Sequence, residues 1–198
     1  MPRVLISDLD GTIADTAPAI FEALHVTCAA MDVHLPRDAD LSFALGPRLH
    51  LVLERLGIAD ERMPDAIAVF ETAHTELIDL VTPMPGADLV LPELASAGVK
   101  IGVATIKPEP IATLVLDVVG LRPYIAALHA RADDFDPRTK TDLVGAALQE
   151  LGRDAIYTGD HDNDAAAAAA AGIPFLRYPD NSWDVIRAAV LGTTAGVP

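Results

Sequence analysis

The sequence predicts an α/β fold: a doubly wound parallel sheet carrying an inserted all-helical unit. Two observations carry this expectation. From residue 84 onward, short apolar runs of strand character alternate with helical patterns, and that alternation implies a parallel sheet with helices packed on its faces. Between the first strand-like run, ending near residue 9, and the next, starting at 99, the spacing is helical with no convincing strand. The expected division is therefore 1–15 with 84–198 as the core and 16–83 as an inserted helical cap. A chain of 198 residues is long enough for one core and a smaller inserted module.

Taken in order, "RVLISDL" (3–9) reads as a buried strand. "APAIFEALHVTCAAM" fits a helix that begins after Thr16, with Asp15 and Thr16 as candidate caps and Pro18 in the first turn. "RLHLVLERLG" and "DAIAVFETAHTELIDLV" continue the helical stretch, and "TPMPG" (82–86) is a Pro/Gly joint. "ADLVLPELASAG" then reads as a helix closed by Gly98, "VKIGVAT" (99–105) as a buried strand, and "PEPIATLVLDVVG" as a helix started by prolines. "IAALHA" (125–130) is a short candidate strand, "KTDLVGAALQELG" a helix and "DAIYTGD" (154–160) a strand ending in an acid. "NDAAAAAAAG" is a helix ending at Gly172, its alanines giving a closely packing surface. "IPFLRY" and "SWDVIRAAVLG" supply the last strand and helix.

Composition excludes several classes of function. Hydrophobic residues are 51% of the chain, enough for a sizeable core. The formal net charge is −15, with 29 acidic against 14 basic residues and no Lys/Arg cluster. A nucleic-acid partner and an anionic membrane surface are therefore not expected. An anionic substrate would need local positive charge or a metal to offset the global field. One cysteine, Cys28, allows neither a disulfide framework nor a zinc cluster and reads as a buried helix residue. The N-terminus has no signal-peptide pattern and no stretch reads as a membrane span, so a cytoplasmic protein, monomeric or homodimeric, is expected.

In open parallel sheets, ligands sit at the carboxyl ends of the strands. Here those ends carry Asp8 and Asp10, Thr105 and Asp160, with Asp164 four residues on and Lys140 at the start of a helix. The carboxylates offer the oxygen ligands that suit a hard cation such as Mg²⁺. Clustered carboxylates are costly unless a cation neutralises them. This set answers a specific chemical problem, the attack of a carboxylate on a phosphate monoester, where an anion must approach an anion. A divalent cation and an ammonium group remove that repulsion. Asp8 is the candidate nucleophile, forming an aspartyl-phosphate. Asp10, leaning the same way on an extended chain, is the candidate acid and base. Gly11 permits the tight exit turn, where backbone N–H groups at Gly11 and Thr12 are candidates to hold phosphate oxygens.

"DLDGT" after an apolar strand resembles the first motif of the haloacid-dehalogenase-like (HAD) superfamily. "VATIKP" resembles its second motif, Lys140 in "RTKTDLV" sits where the third places its lysine, and "YTGDHDND" resembles the fourth. Order and spacing agree over residues 3 to 176. A helical insert between the first two motifs, with "GPRL" (46–49), resembles the C1 cap of the phosphoglycolate-phosphatase-like branch. The resemblance implies a Rossmann-like core and a Mg²⁺-dependent phosphatase acting on a small phosphorylated metabolite. It implies Asp8 as nucleophile and metal ligand, and Asp10 as acid/base with its backbone carbonyl on the metal. Thr105 and Lys140 would hold the phosphoryl group, Asp160 would ligate metal, and Asp164 would orient a metal water or Lys140.

Two departures stand out. Ile106 replaces the Asn or Ser common in relatives, leaving a backbone N–H for phosphate but no polar side chain there. Thr141 replaces the usual Pro after the lysine, so Lys107 competes with Lys140 for the role; the helix that follows Lys140 favours the latter. Arg48 is a candidate grip on the anionic part of a substrate, against the reading of an exposed arginine early in a helix. Phosphoglycolate-like esters and pyrophosphate are candidate substrates. A phosphomutase of the same branch is an alternative. A receiver-like switch or other non-catalytic phosphate-binding protein fits less well, because receivers place their aspartate mid-chain and carry no large helical insert.

Overall fold

The computed structural model describes residues 3–193. It divides into two compact units, one running up to Asp15 and again from Pro83 onward, the other comprising Thr16–Thr82. The strands in chain order are β1 (Val4–Ser7), β2 (Ala14–Asp15), β3 (Thr82–Pro83), β4 (Lys100–Pro108), β5 (Ala127–Arg131), β6 (Ala155–Gly159) and β7 (Phe175–Arg177). The first unit is built on a five-stranded sheet of order β5-β4-β1-β6-β7. Every pairing within it is parallel, with Val4 opposite both Lys100 and Ala155. The chain steps outward from β1 through β4 to β5, then returns to the other side of β1 for β6 and β7. That reversal places the β1 carboxyl end at the switch point of the sheet, where ligands bind.

The helices of this unit are α4 (Ala87–Ser96), α5 (Glu109–Val118), α6 (Lys140–Leu151), α7 (Asp162–Ala171) and α8 (Trp183–Leu191). On one face, Val4, Ile6, Ala104, Ala155 and Tyr157 meet Leu143, Val144, Ala147 and Leu148 of α6 and Ala167 and Ala168 of α7. Two alanines facing α6 let these helices approach closely, which is what the alanine run accomplishes. Helix α4 packs against β4, and α5 against β4 and β5. Where the chain returns after the inserted segment, the Met84 N–H donates to the Ile13 carbonyl at 2.8 Å, closing the core across the insertion.

The second unit contains α1 (Ala17–Ala30), α2 (Leu49–Arg55) and α3 (Met63–Glu76), and has its own core around Leu24, Leu53, Ala66 and Ile67. Arg62 donates to the Met31 carbonyl, tying the start of α3 to the end of α1. Cys28 is buried, as expected of a core cysteine. Among the described residues no helix is long and apolar enough to cross a membrane.

Several boundaries differ from the sequence reading. Strand β1 stops at Ser7 rather than 9, because Leu9 already accepts the turn bonds of Thr12, Ile13 and Ala14. Strand β4 runs past Thr105 to Pro108 through a register irregularity. The candidate strand 125–130 lies at Ala127–Arg131. Helix α3 ends at Glu76, and Ile78–Leu80 forms a separate 3₁₀ turn. Thr16 is the residue before α1 but makes no side-chain capping bond.

Candidate active site

The site is assembled from the carboxyl ends of β1, β4 and β6 and the first turns of α6 and α7. Asp8 follows β1 directly. Its backbone N–H donates to the Thr158 carbonyl of β6 at 2.9 Å, which extends the sheet contact one residue past the strand. Its side chain accepts the Leu9 N–H at 2.8 Å. Lys140, the first residue of α6, places its ammonium 2.6 Å from Asp8 Oδ1 and 3.1 Å from Asp164 Oδ1, and donates to the Ala104 carbonyl at 3.3 Å. Lys140 is positioned by a capping box in which Thr139 and Asp142 exchange side-chain and backbone bonds.

Asp164 is fully buried, and protein donors reach both of its oxygens. Oδ1 takes the Tyr157 hydroxyl at 2.6 Å as well as Lys140, and Oδ2 takes the His161 N–H at 3.0 Å. Asp164, not Asp160, therefore ties the entry to α7. Asp160 lies instead in the concavity left by Gly11. A Cβ at Gly11 would fall 2.4 Å from Asp160 Oδ2, and Gly11 holds φ +71°, so glycine is needed here on both counts. The buried Thr12 hydroxyl donates to Asp160 Oδ1 at 3.1 Å, and Arg177 donates to the Asp160 carbonyl at 2.8 Å.

Oxygens of Asp8, Asp160 and Asp164 lie within 4.8 Å of one another. Burial, reinforced by the Asp164 charge, pushes the Asp8 carboxyl up to about 7, even though Lys140 pulls the other way. Burial and Asp164 also raise the Asp160 carboxyl. Burial opposes the Lys140 charge, but Asp8 and Asp164 together outweigh it and hold the ammonium above its ordinary range. Burial, with the Asp8 and Asp164 charges, raises the Tyr157 phenol, which keeps its proton for the bond to Asp164. With Asp10 and Lys107 included, four carboxylates face two ammonium groups, an excess of two negative charges when all are ionised. A divalent cation with oxygen ligands is the natural complement of that set.

Asp10 faces Lys107, whose ammonium lies 3.0 and 3.2 Å from its two oxygens. The two lysines weighed against each other in the sequence thus do different things: Lys140 joins Asp8 to Asp164, and Lys107 joins β4 to Asp10. Thr105 is buried, and its hydroxyl accepts the Lys107 N–H at 3.2 Å. The Gly11 N–H donates to the Ala14 carbonyl and the Thr12 N–H to the Leu9 carbonyl, so in this structure both serve the turn. The Ile106 side chain packs against the α6–α7 core, while its carbonyl accepts a bond from Arg131 at 3.2 Å. Arg48 belongs to the other unit, in extended backbone just before α2. Tyr157 and Arg131 were not singled out in the sequence: Tyr157 reads there as an ordinary strand residue and Arg131 lies one residue past the candidate strand 125–130, and only the fold gives them their contacts.

The model of the haloacid dehalogenase-like hydrolase family matches residues 5–178. The chain belongs to this family. A phosphoglycolate phosphatase from Caulobacter vibrioides is 35% identical over 84% of this chain and 75% of that protein. The tyrosine-protein kinase PtkA of Mycobacterium tuberculosis is 28% identical over 87% of this chain, which spans 60% of that protein's length. The crystal structure of CbbY from Rhodobacter sphaeroides in complex with phosphate superposes with a TM-score of 0.76 at 22% identity, covering 90% of this chain and 87% of that one, which shows a shared fold. As an enzyme the HAD-like chain is a hydrolase of the phosphatase kind.

Proposed function

We propose that this HAD-like phosphatase is Mg²⁺-dependent and hydrolyses a small, phosphoglycolate-like phosphate monoester through an aspartyl-phosphate on Asp8. One observation carries the reading. A buried carboxylate at the carboxyl end of the central strand contacts a lysine ammonium at 2.6 Å and shares its surroundings with two further carboxylates. As a simple structural ion pair this cluster is badly balanced, with too much negative charge for its cations. As a phosphoryl-transfer site it is balanced once a divalent cation is bound.

Asp8, Asp160 and the backbone carbonyl of Asp10 are assigned to hold that cation. Asp164, its oxygens already occupied by Lys140, Tyr157 and the His161 N–H, orients the set. The cation supplies charge neutralisation for the attacking carboxylate and the transferring phosphoryl oxygens. An Asp8 oxygen attacks phosphorus, and the bond from phosphorus to the ester oxygen breaks. A proton held on the Asp10 carboxyl passes to the leaving oxygen as charge develops on it. The Asp10 carboxylate then takes a proton from water as that water attacks the phosphoryl group, breaking the bond to Asp8 and releasing phosphate. Lys140 and Thr105 steady the phosphoryl oxygens throughout. Selection of the substrate is assigned to the helical unit, with Arg48 its candidate anion-binding group.

The test is phosphate release from a panel of small phosphate monoesters with Mg²⁺. Release is expected from the wild-type protein and from neither Asp8→Asn nor the EDTA-treated protein. A wild-type protein that releases no phosphate from any ester would overturn the reading, and transfer to a sugar without release would replace it with a mutase.

A further inference from the structure

Arg131 ends β5 and is 1% exposed. Arginine is almost never fully buried unless paired, and burying a guanidinium carries a desolvation cost that an apolar side chain of similar volume would avoid. Its Nη1 lies 4.0 Å from Asp134 Oδ1. The guanidinium also bonds three backbone carbonyls: Nη1 donates to Ile106 at 3.2 Å, Nε to Asp136 at 3.1 Å, and Nη2 to Asp134. A planar fork with several fixed donors can join separate stretches of backbone in this way, and a lysine cannot.

The stretches it joins are the two that carry the candidate phosphate-holding residues. Between the pairs Ala104–His129 and Pro108–Arg131, β4 has three intervening residues where β5 has one. Those three are Thr105, Ile106 and Lys107, so the strand bulges where its functional side chains sit. Bulges re-aim side chains next to active sites and leave backbone groups without ladder partners. Arg131 supplies a donor to the carbonyl in the middle of this bulge. At its other end it grips the loop 132–139 that delivers Lys140. Asp136 in that loop accepts the Ala132 N–H at 2.8 Å and the Arg138 N–H at 2.9 Å, so the grip is passed along to the Thr139 cap.

We infer that Arg131 is a positioning residue: its guanidinium locks the β4 bulge and the Lys140 loop into one register, so that Thr105 and Lys140 face the same phosphoryl group while Lys107 stays on Asp10. Its catalytic consequence rests on the phosphatase reading, whereas the lock itself does not. Displacements of about 1 Å from a mutation away from the chemistry cost up to about a hundredfold in rate.

The experiment compares Arg131→Met with Leu94→Ala, a truncation of a fully buried leucine on α4 that serves as the control for general destabilisation. Amide hydrogen exchange at Thr105–Lys107 and at 132–138 is expected to be about tenfold or more faster in Arg131→Met than in Leu94→Ala, reporting easier local opening. Phosphate release under saturating Mg²⁺ is expected to show kcat lower by about tenfold or more with KM within about threefold, while Leu94→Ala keeps kcat within about twofold. If neither segment exchanges faster than in Leu94→Ala, the lock is refuted whatever the activity. If both exchange faster and kcat is unchanged, the positioning role is refuted. A wild-type protein without phosphatase activity defeats the functional reading, and exchange still decides the lock. Should Arg131→Met fail to fold, Arg131→Lys replaces it, with the same two readouts and the same criteria.

Discussion

Replacing Lys140 with methionine keeps most of the side-chain volume and removes the charge between Asp8 and Asp164. The ammonium is 2.6 Å from one carboxylate and 3.1 Å from the other, and its side chain is 9% exposed. Removing one partner from a buried ion pair costs about 3–5 kcal/mol, because the remaining charge stays buried without compensation. For a chain of this size each kcal/mol moves the melting temperature by about 2–4 °C, so Lys140→Met should melt about 6–20 °C lower in metal-free buffer. The pH dependence identifies the cause. In the native protein the Asp8 carboxyl sits at about 7, above its unfolded value of 3.8. An acid raised in the folded state withdraws stability as pH climbs from the unfolded value through the folded one. Without Lys140 the Asp8 carboxyl rises further, so the window of lost stability extends above pH 7. The gap between wild type and variant should therefore be wider at pH 8.5 than at pH 6, and Mg²⁺ should narrow it. Denaturant melts at the two pH values, with and without metal, make the measurement. A loss under about 1 kcal/mol that is equal at both pH values would refute the placement of Lys140 between ionisable carboxylates.

Other perturbations follow from the same geometry. Gly11→Ala drives a Cβ into the Asp160 carboxylate and strains the φ +71° backbone; it should weaken Mg²⁺ binding by about tenfold or more, measured by calorimetry, and destabilise the fold by about 1–3 kcal/mol. Tyr157→Phe deletes the hydroxyl bonded to Asp164 at 2.6 Å and should cost about 1.5–3 kcal/mol by denaturant melt, the range for a buried bond to a charged group. Asp10→Asn cannot deliver or accept the proton and should lower kcat by about 10²–10⁴, with little change in Mg²⁺ affinity measured by calorimetry.

The sheet was legible because its strands are short apolar runs ending in polar residues, and because β1 is separated from β4 by a long helical stretch. The acids were legible because sequence proximity fixes their placement: Asp8 and Asp10 flank one residue, and Asp160 and Asp164 bracket the entry to one helix. The division of labour between Lys107 and Lys140 was not legible. It depends on the β4 bulge, which arises from how β4 and β5 pair and leaves no mark in the local pattern of "VATIKP". Tyr157 and Arg131 were missed for a related reason. Strand alternation predicts burial for Tyr157 but not that its hydroxyl meets a carboxylate seven residues on. Arg131 falls one residue past the candidate strand 125–130, and nothing in the sequence marks that the loop 132–139 supplies carbonyls to its guanidinium. That Asp164 ties the alanine helix while Asp160 turns away from it was not legible, because it depends on Gly11 and Thr12, which hold the Asp160 side chain toward the β1 turn.

The central claim is that Asp8 carries the phosphoryl group in turnover. Wild-type protein quenched in acid during turnover and reduced with borohydride should have its phosphorylated aspartate converted to homoserine. Mass spectrometry of the peptide spanning Val4–Asp15 should place homoserine at position 8 in substrate-treated protein and show none in Asp8→Asn. Active wild-type turnover with homoserine absent from position 8, or found at another aspartate, would contradict the account.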